Sequence, residues 1–291
     1  MPTIFAPIKI NLALHVGLVQ PNGYHPVETL CVFPAIGDIL SYDQDAPPGL
    51  DLSGPFAGEL AQEDMHNNLV WRAFSLLDQE PSGRFLLVKN VPLASGVGAG
   101  TADGAAAMLL LNDASDAPLT AAQLVKRSLG LGADGPVCMA GQIAGGGLWR
   151  ASGIGERLEP WGNVEPQAIV VANPGLAVST ARVFRHFDAA RPRALRSLER
   201  RLGKNSLQDI LHETRNDLAG PATALAPVIS DLLDILEQQP GAQAARMSGS
   251  GATCYALHTS LASAERAVRQ LRTRHCWADA APLLPGSPGG F

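Results

Sequence analysis

The stretch that most constrains this chain is residues 92–104, PLASGVGAGTADG. It lies between the apolar run Phe85-Leu86-Leu87-Val88 and the apolar run Ala105-Ala106-Ala107-Met108-Leu109-Leu110-Leu111. A short apolar run, a glycine-rich turn and a longer apolar run read as strand, turn and helix start. Glycines at 96, 98 and 100 permit positive φ and close approach of a ligand to the backbone. The first turn of the following helix leaves N–H groups without intrahelical partners, and the helix dipole adds about half a positive charge there. An anion suits that position, although a plain strand-to-helix connector uses the same glycines. Two well-known phosphate loops are excluded by spacing. No Lys follows Gly100, as a Walker A loop needs, and glycines at 96, 98, 100 and 104 do not make GxGxxG.

At 291 residues the chain is long enough for two domains, each with its own core. Its 46% hydrophobic and 17% charged content is that of a globular protein. A net charge of -5 without a long basic run argues against a nucleic-acid partner. The densest basic stretch, residues 182–204, is interleaved with acids, alanines and leucines and reads as a solvated face. Cys31, Cys138, Cys254 and Cys276 have no CxxC pairing and read as reduced core thiols. The histidines lack metal-ligand spacing, and only His25 falls in a motif with chemical content. No apolar run reaches the roughly 18 residues of a membrane span, so a cytoplasmic protein without a membrane partner is expected.

In chain order, residues 3–16 read as one strand, with Lys9 and Asn11 on the face opposite Ile10 and Leu12, ordinarily the wet side. Asn22-Gly23 is a hairpin signal that delivers Tyr24 and His25 at its exit. Paired strands are expected from residue 28 to about 53. Asn68 then caps a helix carrying Leu69, Val70, Ala73, Leu76 and Leu77. Thr120 caps another, which stops at Gly130-Leu131-Gly132. Asp134, before Gly135-Pro136, either caps a short helix over 137–140 or stands as a carboxylate beside the glycine loop. The character of the chain changes after the glycines at 145–147, which suggests domains at 1–150 and 151–291. In the second, a strand is expected at 167–172 and a helix from Ser179 or Thr180 with Val183, Phe184 and Phe187. A helical region from Asn216 to about Glu237 is interrupted near Pro221 and Pro227. A second glycine turn, MSGSGAT at 247–253, leads into a strand at 254–258, then a helix over 263–272 and a strand near Cys276. The proline- and glycine-rich tail, 282–291, is expected to be disordered.

The motifs APIKINLALHV, PNGYHPVETL, VPLASGVGAGTADGAAA, LGADGPV, VVANPGLAVSTARVF and ARMSGSGATCYAL, in this order, resemble the 4-diphosphocytidyl-2-C-methyl-D-erythritol kinases of the GHMP superfamily over residues 6–258. The resemblance implies a two-domain α+β fold: a ribosomal-protein-S5-domain-2-like ATP-binding domain followed by a ferredoxin-like domain. It also implies transfer of the ATP γ-phosphate to the 2-hydroxyl of a cytidylyl polyol in the non-mevalonate isoprenoid pathway. Asp134 would then take the hydroxyl proton with Lys9 beside it, and Asn11 would touch the diphosphate or polyol. Tyr24 and Phe184 would sandwich the cytosine while His25 bonds its edge. Pro92, Ala94, Ser95, Gly96, Val97, Gly98, Ala99, Gly100, Thr101 and Ala102 would cradle ATP, with Asn68, Leu69 and Lys89 lining the adenine pocket. Mg2+ would come with ATP near Thr101 without dedicated protein ligands, in a monomer or homodimer. A carboxylate is a weak base for an alcohol, so positioning and charge neutralisation would carry most of the rate. A GHMP kinase for another small alcohol, of homoserine or mevalonate type, and a non-catalytic nucleotide-binding relative remain alternatives. The chain departs from the family at Thr101-Ala102-Asp103-Gly104. One of two usual hydroxyls is missing, Asp103 adds negative charge near the triphosphate, and Gly104 weakens the helix start by up to about 1 kcal/mol.

Overall fold

The structure is a computed structural model that describes residues 1–287 apart from 22, 63, 94, 163, 191–194, 196, 199–205 and 275. The first half runs β1 (Thr3–Pro7), β2 (Ile10–Val16), β3 (Val27–Val32), β4 (Gly37–Asp43), β5 (Gly49–Ser53), α1 (Ala57–Leu60) and α2 (Leu69–Leu76). It continues with β6 (Arg84–Val88), α3 (Ala99–Asp113), α4 (Ala121–Ser128), α5 (Gly135–Ala144), β7 (Leu148–Gly153) and β8 (Arg157–Gly162). The second half runs β9 (Ala168–Asn173), α6 (Thr180–Ala189), α7 (Leu207–Glu213), α8 (Ala219–Leu225), α9 (Val228–Glu237), β10 (Ala242–Met247), β11 (Cys254–His258), α10 (Leu261–Arg272) and β12 (Trp277–Pro282). The strands form sheets β1-β4-β6-β5, β2-β3-β7-β8 and β10-β11-β9-β12.

The last sheet is antiparallel throughout. Its strand β9 shows why an unbroken apolar run was needed. Ile169 and Val171 join the core shared with β2 and β3, while Ala168, Val170 and Ala172 join the core beneath α9 and α10. Successive side chains of a strand face opposite ways, so a strand buried on both faces must be apolar at every position. Helix α3 is likewise apolar nearly all round, because sheet β1-β4-β6-β5, α2 and α5 surround it.

Several expectations need correction. Residues 3–16 are two strands in different sheets, broken at Ile8-Lys9. β2 is an edge strand yet buried along its whole length, because the second half covers it. Arg215 O accepts from Leu14 N–H, Leu14 O accepts from Asp217 N–H, and the Arg246 guanidinium donates to Leu12 O. The supposed wet face is therefore dry: Lys9 and Asn11 are each 3% exposed. The β2–β3 connection is a ten-residue loop, 17–26, rather than a tight hairpin. Inside it Gln20 O accepts from Gly23 N–H and Tyr24 O from Gln20 N–H, while Asn22 lies outside the described residues.

Strand β7, which spans residue 150, pairs with β3 and carries β8 beside it. Ala226 and Pro227 separate α8 from α9. Pro221 sits in the first turn of α8, where the N–H it lacks has no intrahelical partner anyway. The tail is held as far as it is described. Leu283 bridges Pro34, Pro285 bridges Gly146, and Ser287 N–H donates to Ala144 O. Leu283 is a buried core residue, which offsets the ordering of this proline-rich segment. All four cysteines are free.

Candidate active site

Gly98, at φ +68°, precedes α3, and the first intrahelical bond runs from Ala102 N–H to Gly98 O. The N–H groups of Ala99, Gly100 and Thr101 thus come before the helical ladder and point out of the helix end. They border a cavity of about 340 Å³ lined also by Asn68, Leu69, Pro92, Leu93, Ser95, Gly96 and Gly98. Asn68 is there because it starts α2, its Oδ1 accepting from Val70 N–H at 2.9 Å. Most of the residues assigned to ATP therefore share one cleft. Val97 and Ala102 do not line it: both are fully buried, and Val97 O accepts from Lys9 N–H. Ala94 lies outside the described residues. Because Ala102 faces the interior, the second hydroxyl missing there leaves no gap in the cleft wall.

Lys89 forms part of the cleft floor, but its ammonium is turned away from it and wholly buried. Lys89 Nζ donates to Asp38 Oδ2 and, at 2.8 Å, to Asp103 Oδ2. Lys89 and Asp103 both line this cleft, and they do so as a pair: the ammonium is engaged by two carboxylates, and Asp103 brings its charge to the cleft already held by a cation. Gly104 also has a packing reason. A Cβ there would stand 2.7 Å from Leu131 Cδ2 and 3.0 Å from Leu69 Cβ, so the glycine lets α2 lie close against α3.

A second cavity, about 290 Å³, meets the first at Gly96, Gly98 and Thr101. Lys9, Asn11 and Asp134 line it. Lys9 Nζ lies 3.1 Å from Asp134 Oδ2 and donates to Asn11 Oδ1 at 2.7 Å. Asp134 precedes α5 but makes no side-chain cap bond, and its carboxylate is 40% exposed toward the cavity. Of its two sequence readings, the geometry keeps the carboxylate beside the glycine loop. A Cβ on Gly98 would lie 3.2 Å from Lys9 Cε and 3.5 Å from Asp134 Oδ2, so the glycine also makes room for this pair. Burial is the largest influence on Lys9 and works to lower its pKa, but the charge and hydrogen bond of Asp134, with smaller contributions from Cys31 and Cys138, together outweigh it and hold the ammonium above its ordinary value. Asn11 Nδ2 donates to Thr29 Oγ1 at 2.8 Å, so this amide orients Lys9 with much of its bonding capacity already used. A register shift between Asn11 and Ala13 in the β2–β3 pairing bends the strand at this point.

At the far end of the second cavity stands Phe184, on α6. The His25 ring stacks on it at 4.9 Å and 30°, with Nδ1 2.8 Å from Gly17 O and Nε2 3.5 Å from Asp188 Oδ2. Both ring nitrogens thus face protein acceptors, and the imidazole supports Phe184 instead of lining the cavity. Tyr24 is 61% exposed and is not among the lining residues either. The expected aromatic sandwich is represented here by Phe184 alone.

Sequence reasoning passed over several residues at the site. Thr180, Gly249 and Ser250 line the second cavity, and Thr180 Oγ1 lies 2.8 Å from Ser250 Oγ. The second glycine turn was the available signal for Gly249 and Ser250. Thr29 gave none, since it reads as one more strand residue. Among the described residues no His, Cys, Asp and Glu cluster could hold a metal, and no helix is long and apolar enough to cross a membrane.

Comparison with known proteins places these features. Residues 68–142 match the GHMP kinases N terminal domain and residues 189–276 the GHMP kinases C terminal domain. The chain is 40% identical to the 4-diphosphocytidyl-2-C-methyl-D-erythritol kinase of Granulibacter bethesdensis, over 94% of this chain and 92% of that protein. It is 40% identical to the enzyme of the same name from Paracoccus denitrificans, over 96% of each. A crystal structure of 4-(cytidine 5'-diphospho)-2C-methyl-D-erythritol kinase superposes with a TM-score of 0.79 at 30% identity, covering 98% of this chain and all of that one. The fold is shared more widely, as with L. major mevalonate kinase at a TM-score of 0.67 and 16% identity over 99% of this chain and 97% of that one. With the glycine loop, the paired domains and near full-length identity in agreement, this chain belongs to the 4-diphosphocytidyl-2-C-methyl-D-erythritol kinase family of the GHMP kinases.

Proposed function

We propose that this protein transfers the γ-phosphate of ATP to the 2-hydroxyl of 4-diphosphocytidyl-2-C-methyl-D-erythritol, yielding ADP and the 2-phosphorylated product. The observation that carries the reading is the meeting of two cavities at Gly96, Gly98 and Thr101, with Lys9 and Asp134 3.1 Å apart on the second side. ATP lies in the first cavity with its phosphates at the α3 N-terminus, where backbone N–H groups and the Thr101 hydroxyl receive them. The alcohol lies in the second. Its oxygen attacks the γ-phosphorus, Asp134 accepts the hydroxyl proton, and the bond to the β-phosphate bridging oxygen breaks to release ADP. Lys9 keeps the Asp134 carboxylate oriented through its bonds to Asp134 and Asn11. Mg2+ carried by the nucleotide would neutralise phosphate charge near Thr101.

Phe184 in the wall of the second cavity favours a substrate with a base to stack over homoserine or mevalonate. The intact Lys9–Asp134 pair favours catalysis over mere nucleotide binding. An ADP-release assay with 4-diphosphocytidyl-2-C-methyl-D-erythritol, homoserine and mevalonate in parallel tests the proposal. Turnover is expected with the first alone. Turnover only with another alcohol, or with none, rejects it.

A further inference from the structure

Asp38 was not singled out by sequence, and it touches neither cavity lining. It is completely buried near the start of β4, and both carboxylate oxygens are engaged. Oδ1 accepts from Asn90 N–H at 2.6 Å and from Val91 N–H at 3.1 Å, the two residues that lead directly into Pro92. Oδ2 accepts from Lys89 Nζ, which in turn donates to Asp103 Oδ2 on α3. One carboxylate therefore holds the start of the glycine loop directly and its far end through a buried cation. The other oxygen of Asp103 is buried without a partner, so Asp103 depends on Lys89 for its place. A buried carboxylate is strongly disfavoured unless paired, so this three-residue chain has few alternative arrangements.

We propose that Asp38 is a positioning residue for ATP: through Asn90 and Val91 on one side, and Lys89 and Asp103 on the other, it fixes both ends of the phosphate loop. Lys89 then serves the nucleotide by holding α3, since its ammonium is engaged by Asp38 and Asp103. Removing Asp103 should loosen the loop and weaken ATP, whereas an Asp103 that merely repels phosphate would do the opposite. The inference rests on the reading of the first cavity as the ATP site.

The test compares wild type, Asp38→Asn and Asp103→Ala by calorimetric titration with MgATP, at a temperature where each is folded by circular dichroism, together with the KM for the cytidylyl alcohol. Asp103→Ala leaves Lys89 paired with Asp38, so it retains the fold even if Asp38→Asn does not, and it then decides alone. Each variant is expected to weaken ATP at least fivefold while the KM for the alcohol moves less than threefold. Asp103→Asn, which still accepts from Lys89, should keep most of the affinity lost in the alanine variant. ATP affinity within twofold of wild type in the folded variants, or tighter binding in Asp103→Ala, overturns the assignment. Wild type that binds no ATP rejects the functional reading and this inference with it.

Discussion

Replacing Gly104 by alanine, the residue usual in the family, sets two effects of opposite sign against each other. In the interior of an exposed helix, Gly to Ala gains about 1 kcal/mol from propensity. Here the new Cβ would meet Leu131 Cδ2 at 2.7 Å, Leu69 Cβ at 3.0 Å and Leu69 O at 3.2 Å. The Leu131 contact is the end of a side chain and can rotate away. The Leu69 contacts are a Cβ and a backbone oxygen in the first turn of α2, and they move only if α2 moves. Overpacking of this kind costs about 1–3 kcal/mol, so the net is a loss of about 1 kcal/mol, or roughly 2 °C in Tm. Since Leu69 lines the nucleotide cleft, the shift should also raise the KM for ATP about threefold with kcat little changed. Thermal denaturation and ATP-dependent steady-state kinetics read both quantities. Combining Gly104→Ala with Leu131→Ala removes only the soft contact, so the elevated KM should persist. A Tm raised by about 2 °C with an unchanged KM would refute the reasoning and show that propensity wins.

Asp134→Asn should lower kcat at least about a hundredfold in a protein that still folds, with a lowered Tm because the buried Lys9 ammonium loses its partner charge; near-normal turnover would return it to a structural role. Phe184→Ala should weaken the cytidylyl substrate about tenfold and spare ATP, with a larger effect than Tyr24→Ala because Phe184 alone lines the cavity; equal losses for both ligands would count against stacking. Glu28 resists burial, which would raise its pKa, by accepting from Leu198 N–H, Arg150 and Ser197, and ends below its ordinary value of 4.5. Its contribution to stability is therefore complete above that value and disappears as pH falls through the lower folded one. Glu28→Gln should reduce Tm near neutrality and converge with wild type in acid, so a pH-independent difference would be inconsistent with this linkage.

What the sequence disclosed best was local. Three glycines between a strand run and a helix run marked the turn that leads into α3 and borders the first cavity, and Asn68 and Thr120 showed themselves as helix caps through side-chain type. Tertiary burial stayed hidden. Lys9 and Asn11 alternate with apolar residues as a wet face would, and only their long-range partners Asp134, Thr29 and Ser248 show that they are buried. Lys89 gave the same difficulty, since a lysine near a phosphate loop reads as a ligand contact until its partners Asp38 and Asp103 are known. Strand β10, AQAARM, carries no β-branched or aromatic residue and exists because β11 pairs with it.

The phosphate loop leans on the second glycine turn: Thr253 Oγ1 donates to Ser95 O, and a Cβ on Gly96 would lie 2.4 Å from Gly251 O. These partners are 158 residues apart. At ribosomal rates of about 5–20 residues per second, roughly 8–32 s pass between the synthesis of one and the other. Until then the nascent α3 terminus has no platform beneath it, and the long-range contact must wait for loop closure. The final order of this loop is accordingly a property of the assembled chain. A ligand that favours the ordered loop would stabilise molecules that have joined both halves, pulling late folding forward by mass action.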